Sequence, residues 1–159
     1  MPPGGIHHGH DMKLRVLFAT LFAFVCAQAA FAADAKPRVV EITSNDQMKF
    51  SLATIEAKPG EEFTVLLKNL GTLPKDVMGH NWVLLKPGTD VNAFGIAAAS
   101  AKATDYIPDS MKDKVVAHTP VLGPRQDASV KLKLEAGEYT FICSFPGHAF
   151  IMKGTLIVK

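Results

Sequence analysis

An all-β fold, a Greek-key β-barrel or sandwich with a short helical insertion, is what the sequence predicts. Short apolar or alternating runs recur along the chain and stop at turn-forming residues, the pattern of strands in a sandwich or barrel. One alanine-rich stretch, residues 89–110, interrupts that pattern. A hydrophobic fraction of 48% with 20% charged residues is ordinary for a globular domain and excludes disordered, collagen-like and low-complexity classes. At 159 residues, one domain is the natural expectation, and the chain is too short for a doubly wound dinucleotide enzyme of usual size.

Eight strand regions are expected in order: residues 38–43, 49–56, 63–68, 80–85, 114–119, 129–134, 138–143 and 155–158. Lys58-Pro59-Gly60, Pro87-Gly88, Pro120 and Ala136-Gly137 punctuate them. Val130, Leu132 and Leu134 alternate with polar residues and share one face. Within 89–110, Val91, Phe94, Ala98 and Ala101 fall near helical spacing, Asp90 is placed to cap the start, and Pro108 marks the end. Trp82 shares strand parity with His80 and should point into the barrel. His118, at a strand end before Thr119-Pro120, reads as a surface histidine.

Residues 1–32 read as an N-terminal extension and secretory signal peptide. Lys13 and Arg15 precede the uncharged apolar run 16–27, and Ala30 and Ala32 supply the small residues of a cleavage site after Ala32. The apolar run is shorter than the ~20 residues that span a bilayer, so no membrane span is expected in the mature chain. Met12 looks like a signal start, and the upstream segment with His7, His8 and His10 is taken to leave with it, as is Cys26. Residues 33–159 then form the single domain. A net charge of +2 with no lysine or arginine cluster offers no nucleic-acid surface. The mature chain keeps one cysteine, Cys143. A lone thiol is unusual in an oxidising compartment, so it is either buried and inert or occupied.

Cys143-Ser144-Phe145-Pro146-Gly147-His148 leads on to Met152, and a second imidazole, His80, follows Gly79. Singly, each has an ordinary reading: a small buried hydrophobe, a surface histidine, a methionine filling the core. Together, a thiolate, two imidazoles and a thioether form the donor set of a mononuclear copper site with a weak axial methionine. Sulfur ligands favour Cu(I) and imidazoles accept Cu(II), so one site serves both states. Pro146 and Gly147 allow the tight return that brings Cys143 and His148 to one ion.

Gly79-His80-Asn81-Trp82-Val83-Leu84 and Cys143-Ser144-Phe145-Pro146-Gly147-His148, continuing through Met152-Lys153-Gly154-Thr155-Leu156, resemble the azurin family and its auracyanin-like relatives. Asn45-Asp46-Gln47-Met48, Leu73-Pro74-Lys75 and Ala117-His118-Thr119 extend the likeness over nearly all of the mature chain. The resemblance implies a cupredoxin fold and a periplasmic type 1 (blue) copper protein. Such a protein carries electrons to and from redox proteins such as c-type cytochromes or a periplasmic reductase or oxidase. It implies metal ligands His80, Cys143, His148 and Met152, with the Gly79 carbonyl a long axial contact opposite Met152. It gives Asn81 and Phe145 supporting roles beside the ligands; the Asn81 amide donates to the thiolate and its side chain ties the two ligand loops together. It also places Met48, Met78, Phe145, Gly147 and Phe150 in an apolar collar around the edge of His148, suited to brief docking. Two departures stand out. The positions of a disulfide common in azurins hold Arg38 and Gly60, and a buried titrating histidine of some azurins is replaced by Asn69.

Three functions compete. A copper oxidase or nitrite reductase fragment needs histidines flanking the cysteine to reach further copper, but Ile142 and Ser144 stand there. Periplasmic copper storage or delivery needs an exposed, exchangeable cluster, whereas Phe145 and Pro146 are expected to enclose this one. An electron carrier, not an enzyme, is the expectation. Zinc would bind the same donors as a mismetallated form.

Overall fold

Alternating burial along the strands builds two facing sheets in the computed structural model, which describes residues 37–159 together with Met1, Gly4 and Gly5. The chain divides into the units Met1–Lys36 and Pro37–Lys159, and the fold lies in the second. The expected signal peptide, its cleavage after Ala32, the histidines before it and Cys26 lie outside the described residues.

The first sheet has the strand order β2-β1-β4-β7, from β1 (Arg38–Asn45), β2 (Lys49–Phe50), β4 (Glu62–Asn69) and β7 (Asp127–Lys133). The second runs β3-β9-β8-β5-β6, from β3 (Thr54–Ala57), β5 (Val83–Leu85), β6 (Val115–His118), β8 (Gly137–Ile142) and β9 (Lys153–Val158). β1 pairs parallel with β4, β3 parallel with β9, and the other pairs are antiparallel. In β4, Phe63, Val65, Leu67 and Asn69 face inward while Glu62, Thr64, Leu66 and Lys68 face out, the period of two that defines a half-buried strand.

Between the sheets lies a core that includes Ile42, Val65, Leu67, Leu84 and Leu156, and Phe141 stacks on Trp82 at 5.6 Å while meeting Phe50 edge-on at 5.6 Å. Trp82 points inward, as its parity predicts, and is fully buried. Its neighbours Val83 and Leu85 face the other way, into a second cluster with Phe94, Ala98, Cys143, Phe145 and Met152. That second cluster is where the helical insertion covers the end of the sandwich.

The insertion begins as helix α2 (Val91–Ala98), preceded in the chain by the single-turn helix α1 (Lys75–Met78). Asp90 caps α2 by accepting from the Asn92 and Ala93 amides, satisfying two of its free N–H groups. Its Gly95 lies where a Cβ would come within 2.9 Å of the Ala149 Cβ, so the helix rests directly on the turn His148–Phe150.

Three local expectations need correction. The region 49–56 is two strands in different sheets, because the chain crosses from Ser51, still bonded to Thr43 of β1, to Ala53, whose carbonyl accepts from Thr155 of β9. The ladder at 80–85 starts only at Val83; His80 forms an isolated bridge with Leu122, since its side chain is turned to the cluster at the sandwich end. Helical turns continue past Pro108, which serves as the N-cap of the 3-10 segment Asp109–Lys114 rather than a stop. Among the described residues no helix is long and apolar enough to cross a membrane.

Candidate metal centre

Four segments meet at this end of the sandwich. His80 is pinned by reciprocal backbone bonds with Leu122: its N–H donates at 3.1 Å and its carbonyl accepts at 2.7 Å. Gly79 before it has no room for a side chain; a Cβ would sit 2.5 Å from the Lys75 carbonyl oxygen and 2.6 Å from Val121 Cγ1. Cys143 follows β8, and its N–H donates to the Met152 carbonyl at 2.9 Å, while the Met152 N–H donates to the His148 carbonyl at 2.7 Å. These bonds close the loop 143–152 on itself. Gly147 adopts φ 81°, a left-handed conformation that glycine enters without Cβ strain, and this turns the chain into His148–Phe150.

The loop closure brings Cys143 Sγ to 3.5 Å from His148 Nδ1 and 3.8 Å from His80 Nδ1. The three donor atoms lie within 4.8 Å of one another, and all three residues are buried. Met152 is buried in the same cluster, at 1% exposure. A metal bonded to a thiolate at ~2.3 Å and an imidazole at ~2.0 Å in a trigonal plane holds those atoms about 3.7 Å apart. The observed separations therefore fit one ion. Two Nδ1 atoms also face a single thiol, which has only one proton to share between them, so the donors are arranged for a cation.

The protonation states agree. Burial pushes the Cys143 thiol up to about 12, against the pull of the nearby Asn81 and Phe145 backbone N–H groups. Burial, aided by the neighbouring His80, lowers His148 to about 4. Burial likewise holds His80 below the ordinary histidine range, opposed by the Asn45 backbone and the Asp46 carboxylate. The Asn45 approach is felt electrostatically but falls short of a well-formed bond, because His80 Nε2 has no partner in good geometry. Two neutral imidazoles are thus ready to ligate, and the sulfur needs a positive charge to give up its proton.

Asn81, fully buried, joins the two ligand segments. Its Oδ1 accepts from the Ser144 N–H at 2.8 Å, and its Nδ2 donates to Ser144 Oγ at 2.8 Å and to the Asp105 carbonyl at 3.0 Å. The Phe145 ring lies 4.8 Å from the His148 ring and meets Tyr106 edge-on at 5.1 Å. Phe145 is buried rather than exposed, so of the expected collar it is a lining residue. Met48 and Met78 are half-buried, and Gly147 and Phe150 are exposed. Leu73, Val77 and Ile151, absent from the expected set, are also exposed apolar residues. Ser144, Asp105, Tyr106 and Leu122 were likewise not anticipated: they act through backbone groups and ring packing, which leave no mark on residue type. Arg38, at one of the two positions where the bridge is expected to be absent, pairs with Glu61 at 3.6 Å, and Asn69 is buried, donating to the Leu122 carbonyl at 3.2 Å. His118 is exposed.

The fold and donors define a two-sheet domain with a buried thiolate–imidazole site for copper. Residues 37–159 match the family described as copper binding proteins, plastocyanin/azurin family. Azurin of Bordetella pertussis is 42% identical over 147 residues, covering 88% of this chain and 97% of that one. Azurin of Pseudomonas aeruginosa is 44% identical over 126 residues, covering 76% and 84%. Among solved structures, azurin Az-iso2 of Methylomonas sp. strain J superposes with TM-score 0.67 at 36% identity, covering 78% and 99%. Auracyanin A of Chloroflexus aurantiacus, a "blue" copper protein, gives TM-score 0.69 at 28% identity, covering 78% and 100%. The chain belongs to the plastocyanin/azurin family of copper-binding proteins. Copper is its metal, at a type 1 site of His80, Cys143, His148 and Met152, and its class is the blue copper electron-transfer proteins.

Proposed function

We propose that this chain is a periplasmic carrier of single electrons, exported by a signal peptide cleaved after Ala32. The observation that carries the reading is the enclosure of a thiolate and two imidazoles, with at most 3% exposure at any of the three residues. Copper, when bound, alternates between Cu(I) and Cu(II) and so supplies one-electron chemistry.

The protein's own residues do the rest. His80, Cys143, His148 and Met152 would hold the ion, with the Gly79 carbonyl as a further, longer contact. The backbone bonds of the loop 143–152 and the Asn81 link keep the donors in one arrangement, so little reorganises when charge changes. The Phe145 ring and the buried cluster exclude water. His148 is the most exposed of the ligands, at 3% against 0% for His80, and we assign Met48, Met78, Gly147 and Phe150 to a docking collar beside it. An apolar collar suits short-lived contact with redox proteins such as c-type cytochromes or a periplasmic reductase or oxidase.

Copper storage or delivery is the competing reading, and the enclosure of the site weighs against it. Catalysis through further copper is disfavoured because Ile142 and Ser144, rather than histidines, flank Cys143. The deciding experiment is a visible spectrum of the oxidised, copper-loaded protein followed by electron exchange with a cytochrome c. An intense thiolate-to-copper band with fast exchange is expected. A blue protein that exchanges electrons slowly but hands copper to a chelator quickly would overturn the carrier reading.

A further inference from the structure

Two consecutive residues outside the ligand segments, Asp105 and Tyr106, adopt left-handed backbone conformations, with φ 53° and 60°. L-residues seldom do so, and a bulky side chain such as tyrosine does so least of all. Strain of this kind persists only where the surroundings enforce it, and such residues cluster at functional sites. Here the surroundings are the metal centre. The Asp105 carbonyl accepts from Asn81 Nδ2 at 3.0 Å, its Oδ1 accepts from the Val121 N–H at 3.2 Å, and the Tyr106 ring meets Phe145 edge-on.

Each contact bears on a different part of the centre. Asn81 Oδ1 faces the Ser144 N–H, which can only donate, and Nδ2 faces the Asp105 carbonyl, which can only accept. Those two one-way partners fix which way the Asn81 amide is turned; the Ser144 hydroxyl could satisfy either orientation. Val121 adjoins Leu122, whose backbone pins His80, and packs where any side chain at position 79 would go. Asn81 and Phe145 are the two residues whose backbone N–H groups favour the charged form of the Cys143 sulfur. The left-handed pair thus touches both of these residues from a segment that supplies no ligand.

We propose that Asp105 and Tyr106 are positioning residues that hold the Asn81 and Phe145 N–H groups on the Cys143 thiolate and thereby set the reduction potential. The claim rests on Cys143 binding copper. N–H donors withdraw charge from the sulfur and favour Cu(I), so loosening them lowers the potential.

Three substitutions separate the parts. Asp105→Asn keeps an Oδ1 acceptor and a residue tolerant of this backbone region. Asp105→Gly keeps the backbone conformation but loses the Val121 anchor. Asp105→Ala loses both. Two readouts are taken: amide hydrogen exchange of Ser144 in the metal-free protein, and the reduction potential with copper. Exchange at Ser144 is expected to quicken by about tenfold in Asp105→Ala and less in Asp105→Gly, as local opening becomes easier. The potential should fall in the same order, with Asp105→Asn restoring both values. Tyr106→Leu should also lower the potential, whereas Tyr106→Phe, which keeps the ring edge, should not. If Asp105→Ala does not fold, the contrast between Asp105→Asn and Asp105→Gly still decides.

Parent-like exchange and potential in Asp105→Ala or Asp105→Gly would overturn the proposal. So would an Asp105→Asn variant as perturbed as the alanine form, because charge rather than position would then be at work. The exchange measurement needs no copper, so it decides the positioning claim even if the parent protein lacks a blue band, which would count instead against the copper reading.

Discussion

Replacing Asn81 by alanine should destabilise the metal-free protein by about 3 kcal/mol, and the estimate follows from its three side-chain bonds. The Ser144 N–H loses its acceptor in a site where both residues are buried, and leaving a buried donor unpaired costs about 1–3 kcal/mol. The Asp105 carbonyl loses a donor but is only part-buried, so water recovers some of that loss, leaving about 1 kcal/mol. Ser144 Oγ can turn to another partner and adds little. For a domain of this size the total corresponds to a midpoint lowered by roughly 10 °C. Denaturant unfolding of the metal-free protein at pH 7 measures it directly. Asn81→Asp supplies the contrast: its carboxylate can still accept from Ser144 but cannot donate to the Asp105 carbonyl, so it should also destabilise while leaving the Ser144 amide protected. A loss below about 1 kcal/mol in Asn81→Ala would refute the assignment of Asn81 as the link between the two ligand segments.

Cys143→Ser should abolish the intense thiolate-to-copper band, because an oxygen ligand does not supply that transition; a variant that stays blue would remove Cys143 from the site. Met78→Lys on the half-buried end of α1 should slow electron self-exchange by about tenfold or more, since each encounter then brings two like charges together, while the blue spectrum stays nearly unchanged. Unaltered exchange at moderate ionic strength, where long-range charge effects are screened, would exclude this face as the electron port. The pH dependence follows from His148, lowered from its ordinary 6.5 to about 4. The folded metal-free protein binds fewer protons there than the unfolded chain, so stability is full above about pH 6.5 and is lost as pH falls through about 4, by at most about 3 kcal/mol. Equal unfolding free energies at pH 7 and pH 4 would contradict the buried, neutral imidazole.

The donor set was legible from the chain alone because chemistry restricts it: few residue types bind copper, and the five- and four-residue spacings of Cys143, His148 and Met152 lie within one loop. The shared face of Val130, Leu132 and Leu134 and the inward turn of Trp82 were equally legible, since period-two alternation is a local property of sequence. So was the capping of α2 by Asp90, which depends on neighbouring residues only. The sequence also pointed to the lone thiol as the residue to explain.

Other features depended on contacts between distant segments. That 49–56 divides between two sheets is decided by which strands its halves meet, β1 and β9, and nothing in those residues names their partners. The separation of His80 from its strand follows from pairing with Leu122, 42 positions away in the numbering. Phe145 became a lining residue rather than part of an exposed collar because Tyr106 packs against it. The left-handed backbone at Asp105 and Tyr106 is likewise a tertiary outcome: the preference of Tyr106 opposes it, and contacts with Asn81, Val121 and Phe145 hold it in place. Residue type and spacing determined which atoms this protein can offer to copper. Only the folded chain decided how firmly those atoms are held, because rigidity comes from hydrogen bonds and packing between segments that sequence order keeps apart.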